Sequence, residues 1–73
     1  MTFTATTALP YENLARATAA LRAELRYQLV DAGNDELPDW DTLVVTGPLE
    51  LTDHRGRTWF EYVATVESRP ARP

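Results

Sequence analysis

The side chains that could carry out catalysis are few and do not form a recognisable set. His54 is the only histidine, and it follows Asp53. Such a pair can act as a general base. No nucleophile accompanies it, because the chain has no cysteine and its only serine, Ser68, lies near the C-terminus. Asp53-His54-Arg55-Gly56 is also typical of a solvent-exposed turn, where pKa shifts are small. We therefore predict a plain turn, no catalytic residues and no enzymatic activity.

A cluster of carboxylates follows in the middle of the chain, at Asp31, Asp35, Glu36, Asp39 and Asp41. Their spacing lacks the central glycine and distal glutamate of an EF-hand calcium loop. We predict a solvated acidic loop over 34–41, with no metal and no cofactor.

Within that segment, Trp40 stands between Asp39 and Asp41. An aromatic side chain rimmed by acids can anchor a basic partner protein. The alternative is that Trp40 fills the core. Asp39, Trp40 and Asp41 are therefore candidate partner contacts.

The charge of the chain disfavours nucleic-acid binding. The net charge is −4, and all seven basic residues are arginines that are dispersed along the sequence. An acidic surface repels phosphates. An alternative stays open: Arg55 and Arg57 at the turn, with Arg69 and Arg72, could contact a nucleic-acid backbone. The acids could also occupy a basic DNA-binding partner.

The element that must position these groups is a helix over about 10–32. Leu9-Pro10 is a typical start and Gly33-Asn34 a typical end. One apolar stripe is predicted to face the core, and it consists of Tyr11, Leu14, Thr18, Leu21, Leu25, Leu29 and Ala32. A second stripe lies on the opposite side of the helix and consists of Ala20, Ala23, Tyr27 and Val30. It is a candidate interface; the alternative is that it is ordinary exposed surface.

Two segments with apolar residues at every second position, 42–52 and 57–67, predict an antiparallel hairpin. A four-residue turn pairs Leu49 with Phe60 and Val45 with Ala64, so that all apolar faces coincide. A three-residue turn instead sets Leu49 opposite Glu61, and needs a bulge at Gly47-Pro48 to restore the pattern.

Trp59 and Val63 lie on the face of this hairpin that points away from the helix, and they are further candidate interface residues. Trp59 either packs on the Arg57 stem or marks a contact surface. Residues 2–7, rich in threonine, form either a short strand or a frayed terminus.

Together these patterns predict an α+β domain over 1–68, with one long helix on one face of a hairpin and a disordered tail over 69–73. A domain of 73 residues buries only about 60% of its unfolded surface, so self-association would add needed burial. We expect a non-catalytic, homodimeric interaction or regulatory protein. The absence of lysine and isoleucine is typical of a G+C-rich bacterial genome, and without a membrane-spanning run a cytoplasmic location is expected.

Overall fold

The computed structural model describes residues 1–33 and 35–70. These residues form β1 (Thr2–Leu9), α1 (Leu14–Ala32), β2 (Glu36–Thr52) and β3 (Thr58–Pro70). The strands make one antiparallel sheet in the order β1-β3-β2. The helix packs on one face of the sheet. The predicted α+β fold, with a long helix on a hairpin, is confirmed.

The N-terminal segment forms a full strand. Its pairing with β3 runs from Thr2 opposite Glu67 to Leu9 opposite Phe60. Side chains alternate along it, so that Ala5 is buried while Thr4 and Thr6 are exposed. Since this pairing is antiparallel, β1 covers one edge of the hairpin and leaves β3 as the central strand.

The helix begins four residues later than predicted, at Leu14 rather than Pro10. Asn13 is the N-cap, and its side chain accepts a hydrogen bond of 3.0 Å from the backbone N–H of Arg16. Asparagine is a strong N-cap residue, and this signal prevailed over the proline. The predicted end is confirmed, since Gly33 has φ +68° and donates its N–H to the Val30 carbonyl at 3.1 Å. Asn34 lies outside the described residues.

The core forms between the middle of α1 and the facing side of the sheet. Tyr11 and Leu14 were predicted to lie in it but are 43% and 56% exposed. Tyr11 precedes the helix, so the helical period does not apply to it. Ala32 is also exposed, whereas Ala17, absent from the predicted stripe, is fully buried. The buried core residues are Ala5, Ala17, Leu21, Leu25, Leu29, Tyr62, Ala64 and Val66.

The acidic segment predicted as a loop is largely a strand. Glu36 to Asp39 pair with Pro70 to Glu67 and extend the hairpin beyond β1. Pro38 is buried there. An edge strand tolerates proline because the N–H groups on its outer side are not needed as hydrogen-bond donors to a neighbouring strand. Arg69 and Pro70 thus belong to β3 rather than to the expected tail, and residues 71–73 lie outside the described part.

The hairpin turn has three residues, so the register first predicted is wrong near the tip. Asp53 N–H donates to the Arg57 carbonyl at 2.9 Å, and Leu49 lies opposite Glu61. A register shift between Thr46 and Leu49 restores the predicted pairing of Val45 with Ala64. The bulge alternative at Gly47-Pro48 is therefore the observed one; this peptide bond is cis and Gly47 has φ +125°.

Candidate functional site

An apolar patch lies on the sheet face opposite the helix, which we call the open face. Residues directly opposite each other in a ladder share a face. Leu51 pairs with Trp59, and Val44 and Leu49 lie on the same side as Val63. Val44, Leu49 and Leu51 are 54%, 57% and 40% exposed, whereas Trp59 and Val63 are half-buried. The open-face patch thus consists of Val44, Leu49, Leu51, Trp59 and Val63.

Two of these five residues, Trp59 and Val63, were predicted as interface residues from the sequence. Leu49 and Leu51 were missed because simple alternation assigns them to the core side, whereas Val44 falls on the open face by alternation and was not named as a candidate. The register shift at Gly47 inserts one extra residue, and such a shift moves the following side chains to the other face. The Gly47-Pro48 pair inside a strand pattern is the feature of the sequence that could have indicated this register shift.

The indole of Trp59 is held in place by the hairpin turn. Its Nε1 donates to Asp53 Oδ2 at 3.1 Å, while Asp53 Oδ1 accepts the backbone N–H groups of Arg55 and Arg57 at 2.8 and 2.9 Å. The Trp59 hydrogen bond, followed by that of Arg57, lowers the pKa of Asp53 below its ordinary value; desolvation acts in the opposite direction, and the Arg55 hydrogen bond lowers the pKa further. Asp53, and not the exposed imidazole of His54, therefore orders the turn and fixes the position of Trp59.

Trp40 has neighbours that the sequence did not predict. The guanidinium carbon of Arg22 lies 4.6 Å from the ring centroid, and that of Arg26 lies 5.9 Å away. Both distances are within cation–π range. The ring is half-buried and packs against the core. A basic partner that used Trp40 as its anchor would compete with the chain's own arginines.

Of the two acids that flank Trp40, Asp39 contacts the local backbone through its side chain. Asp39 Oδ1 accepts the N–H of Asp41 at 3.2 Å, and the Asp39 carbonyl accepts the hydroxyl of Thr42 at 2.7 Å. These bonds span the register irregularity between Asp39 and Val44. Asp39 is half-buried, and Asp41 is exposed.

The outer face of the helix, the other predicted interface, lies on the surface. Ala20 and Ala23 are exposed, and Tyr27 and Val30 are 67% and 75% exposed. Only these last two are large apolar side chains. The open face, by contrast, presents five apolar side chains on two paired strands.

Among the described residues, two of the larger grooves lie beside the helix. One, of about 400 Å³, lies between α1 and β1 and is lined by residues that include Thr4, Thr6, Glu24 and Gln28. The other, of about 360 Å³, lies beside the C-terminal part of α1, against Leu37 and Trp40. Among residues 1–33 and 35–70, no three carboxylate or histidine side chains are grouped closely enough to hold a metal ion.

The fold and the exposed patch define a small α+β protein with an uncovered sheet face. In the described ranges, no helix is long and apolar enough to cross a membrane. Comparison with family models, curated proteins and solved structures finds no match to this chain.

Proposed function

We propose that this protein is a non-catalytic interaction module that forms a homodimer through the open face of its sheet. The observation that carries the proposal is the patch of Val44, Leu49, Leu51, Trp59 and Val63, in which Leu49 and Leu51 owe their position to the register shift at Gly47. Contiguous exposed apolar patches on small proteins commonly mark contact surfaces. Here the patch lies on regular strands, which hold it rigidly.

The size of the molecule sets an upper limit on this contact. The molecule measures 49 × 21 × 16 Å, so its largest projected side is at most about 1,000 Å². A standard interface buries about 800 Å² on each partner. Two sheets packed face to face, about 10 Å apart, would have to bury most of that side to reach this area.

The charges around Trp59 are self-complementary. Trp59 and Glu61 are two residues apart and share one face of β3, and Arg57 lies immediately before this strand. A two-fold axis that lies between the two sheets and crosses the strands near Trp59 would bring Arg57 of one chain towards Glu61 of the other. A second copy could therefore cover Trp59 and pair Arg57 with Glu61.

The test is the mass in solution of two matched variants, measured by light scattering over a range of concentrations. Leu49→Glu places a charge on the open face, and Ala23→Glu places the same charge on the outer face of the helix. We expect Leu49→Glu to lose the open-face contact and Ala23→Glu to retain it. The proposal fails if Leu49→Glu assembles like the wild type, or if the wild type is a strict monomer of 8.2 kDa.

A second candidate function, contact with a nucleic-acid backbone, has one supporting observation. The hairpin extends past the end of β1, and its tip carries Arg55 and Arg57, both exposed. Electrophoretic mobility shifts on DNA and RNA at low salt test it, since backbone contacts weaken steeply as salt rises. If no shift occurs at low salt, direct binding is excluded. Capture of a basic DNA-binding protein would instead favour the acidic-mimic version.

A further inference from the structure

The outer edge of β1 carries unpaired backbone groups. Ser68 N–H donates to the Met1 carbonyl at 2.9 Å, which shows that the backbone carbonyl of Met1 points towards β3. The side chain of Gln28 donates to the Thr4 carbonyl at 3.1 Å, which shows that the backbone carbonyl of Thr4 points away from β3. Because the direction alternates along an antiparallel strand, the backbone groups of Thr2, Thr4, Thr6 and Ala8 all point outwards.

Within β1 itself this edge lacks the usual protection against pairing, although the Gln28 side chain of α1 contacts its Thr4 carbonyl. Thr2–Leu9 contains no charged residue, no proline and no irregularity in its register. The opposite edge, on β2, carries Pro38, Pro48 and two register shifts. Charges, prolines and bulges are the devices by which proteins block edge pairing. Of the two edges of the sheet in residues 1–33 and 35–70, β1 is therefore the more open to another strand.

We propose that β1 pairs with β1 of a second copy, antiparallel, to make a continuous six-stranded sheet. The register that uses every outward group places Thr4 opposite the partner's Thr6, and Thr2 opposite the partner's Ala8. That register forms about eight backbone hydrogen bonds. The Thr4 carbonyl can accept a hydrogen bond from the partner strand as well as the one from Gln28, because a carbonyl oxygen has two lone pairs.

The residue at the centre of this register is suited to a two-fold axis. Ala5 would face the partner's Ala5 as a non-hydrogen-bonded pair, in which the side chains approach most closely. Ala5 is only 4% exposed and is small, so its own helix already covers it and the close approach creates no clash. The pairing has no like charges to bring together along the strands.

The helices are also compatible with this axis. Gln28 lies level with Thr4, and one strand residue corresponds to about two helix residues. The axis at Ala5 is then level with residue 26, midway between Glu24 and Gln28. Glu24 would face the partner's Gln28, an acceptor opposite a donor, across the groove of about 400 Å³ that both residues line.

This contact is separate from the open face and goes beyond the homodimer proposed above. Edge pairing leaves the open face uncovered on both copies, so the two contacts can exist together. The wild-type chain, which has both contacts, would then assemble beyond a dimer of two 8.2 kDa chains. The variant Leu49→Glu, which blocks the open face, would stop at the edge-paired dimer.

The experiment uses Leu49→Glu as the background and adds Thr6→Pro. Proline removes the outward N–H of Thr6 and leaves the bonds to β3 in place, while the matched control Thr6→Val keeps the N–H. We expect Thr6→Pro to be a folded monomer by circular dichroism and light scattering, and Thr6→Val to stay dimeric. The contact is disproved if folded Thr6→Pro remains dimeric. The edge contact is also disproved if Leu49→Glu alone is monomeric, although that result would still agree with the open-face homodimer.

If Thr6→Pro does not fold, amide hydrogen exchange tests the edge contact of β1 instead. In the Leu49→Glu protein, the amides of Thr4, Thr6 and Ala8 should exchange at least about tenfold more slowly at high than at low concentration, since pairing protects them. Exchange that is independent of concentration at these three amides would rule out the edge contact.

Discussion

Gly47 is the residue on which the open face depends, and Gly47→Ala tests this directly. Glycine is required there for two reasons. Its φ of +125° is rarely adopted by other residues, and an added Cβ would lie 2.6 Å from the Glu61 carbonyl oxygen and 3.2 Å from Tyr62 Cα. Both neighbours belong to the backbone of the central strand, which cannot move without disturbing the ladder.

The expected loss of stability is large for a chain of this size. A residue forced into such a backbone conformation costs about 1–3 kcal/mol. Overpacking against neighbours that cannot move adds about 1–3 kcal/mol. The total of about 2–6 kcal/mol compares with about 4–11 kcal/mol of overall stability for 73 residues. Gly47→Ala should therefore be strongly destabilised or unfolded.

Gly56→Ala is the matched control. Gly56 also has a positive φ, +78°, but no atom outside its chain neighbours lies within 4 Å of the position of an added Cβ. We expect this variant to lose only about 1–2 kcal/mol, from backbone strain alone. The difference between the two variants isolates the contact with Glu61.

The assay is urea unfolding followed by circular dichroism at low protein concentration, because assembly itself adds to apparent stability. If Gly47→Ala is no less stable than Gly56→Ala, the reasoning about the register shift is refuted. The self-association of folded Gly47→Ala should also weaken, since the shift places Leu49 on the open face. Unchanged association would mean that the shift does not position the interface.

Three further predictions concern individual contacts. Tyr62→Phe removes the hydroxyl that accepts the Asn13 N–H at 3.1 Å, and should cost about 1–3 kcal/mol and lower the melting temperature in calorimetry. Leu25→Ala, at a fully buried position, should cost about 3–5 kcal/mol in urea unfolding. Asp53 has a lowered pKa, so its contribution is present above the unfolded pKa of about 3.9 and is lost as pH falls through the lower folded value. In a Trp40→Phe background, Trp59 fluorescence should change in that acidic range, and Asp53→Asn should abolish the change.

Each of these has a contrary result. A melting temperature unchanged in Tyr62→Phe would mean that water replaces the hydroxyl at the helix N-terminus. A loss below about 1 kcal/mol in Leu25→Ala would mean that the core collapses around the cavity. A fluorescence transition that persists in Asp53→Asn would assign the pH dependence to another carboxylate.

Much of the architecture could be predicted from local patterns. Leu21, Leu25 and Leu29 recur at helical spacing, and Tyr62, Ala64 and Val66 at strand spacing, and all six are buried. Periodicity locates such residues because burial depends on which face a side chain occupies. The end of the helix at Gly33 was likewise visible, since a left-handed residue is a local requirement.

Competing local signals were harder to rank. Pro10 and Asn13 can both start a helix, and Asn13 is the one that also contacts Tyr62, 49 residues away. The acidic segment after the helix resembled a loop, but Glu36 and Leu37 pair with Pro70 and Arg69. In both places a partner distant in sequence decided the outcome.

The sequence by itself determined a single helix, the two long strands and the identity of most core side chains, because each follows from spacing along the chain. Only the tertiary structure decided that Leu49 and Leu51 join Trp59 on the open face and that β1 presents a regular, unprotected edge. The physical reason is the register. The position of Gly47 against the backbone of Glu61 and Tyr62 selects one pairing of the strands, and every side chain beyond it changes face.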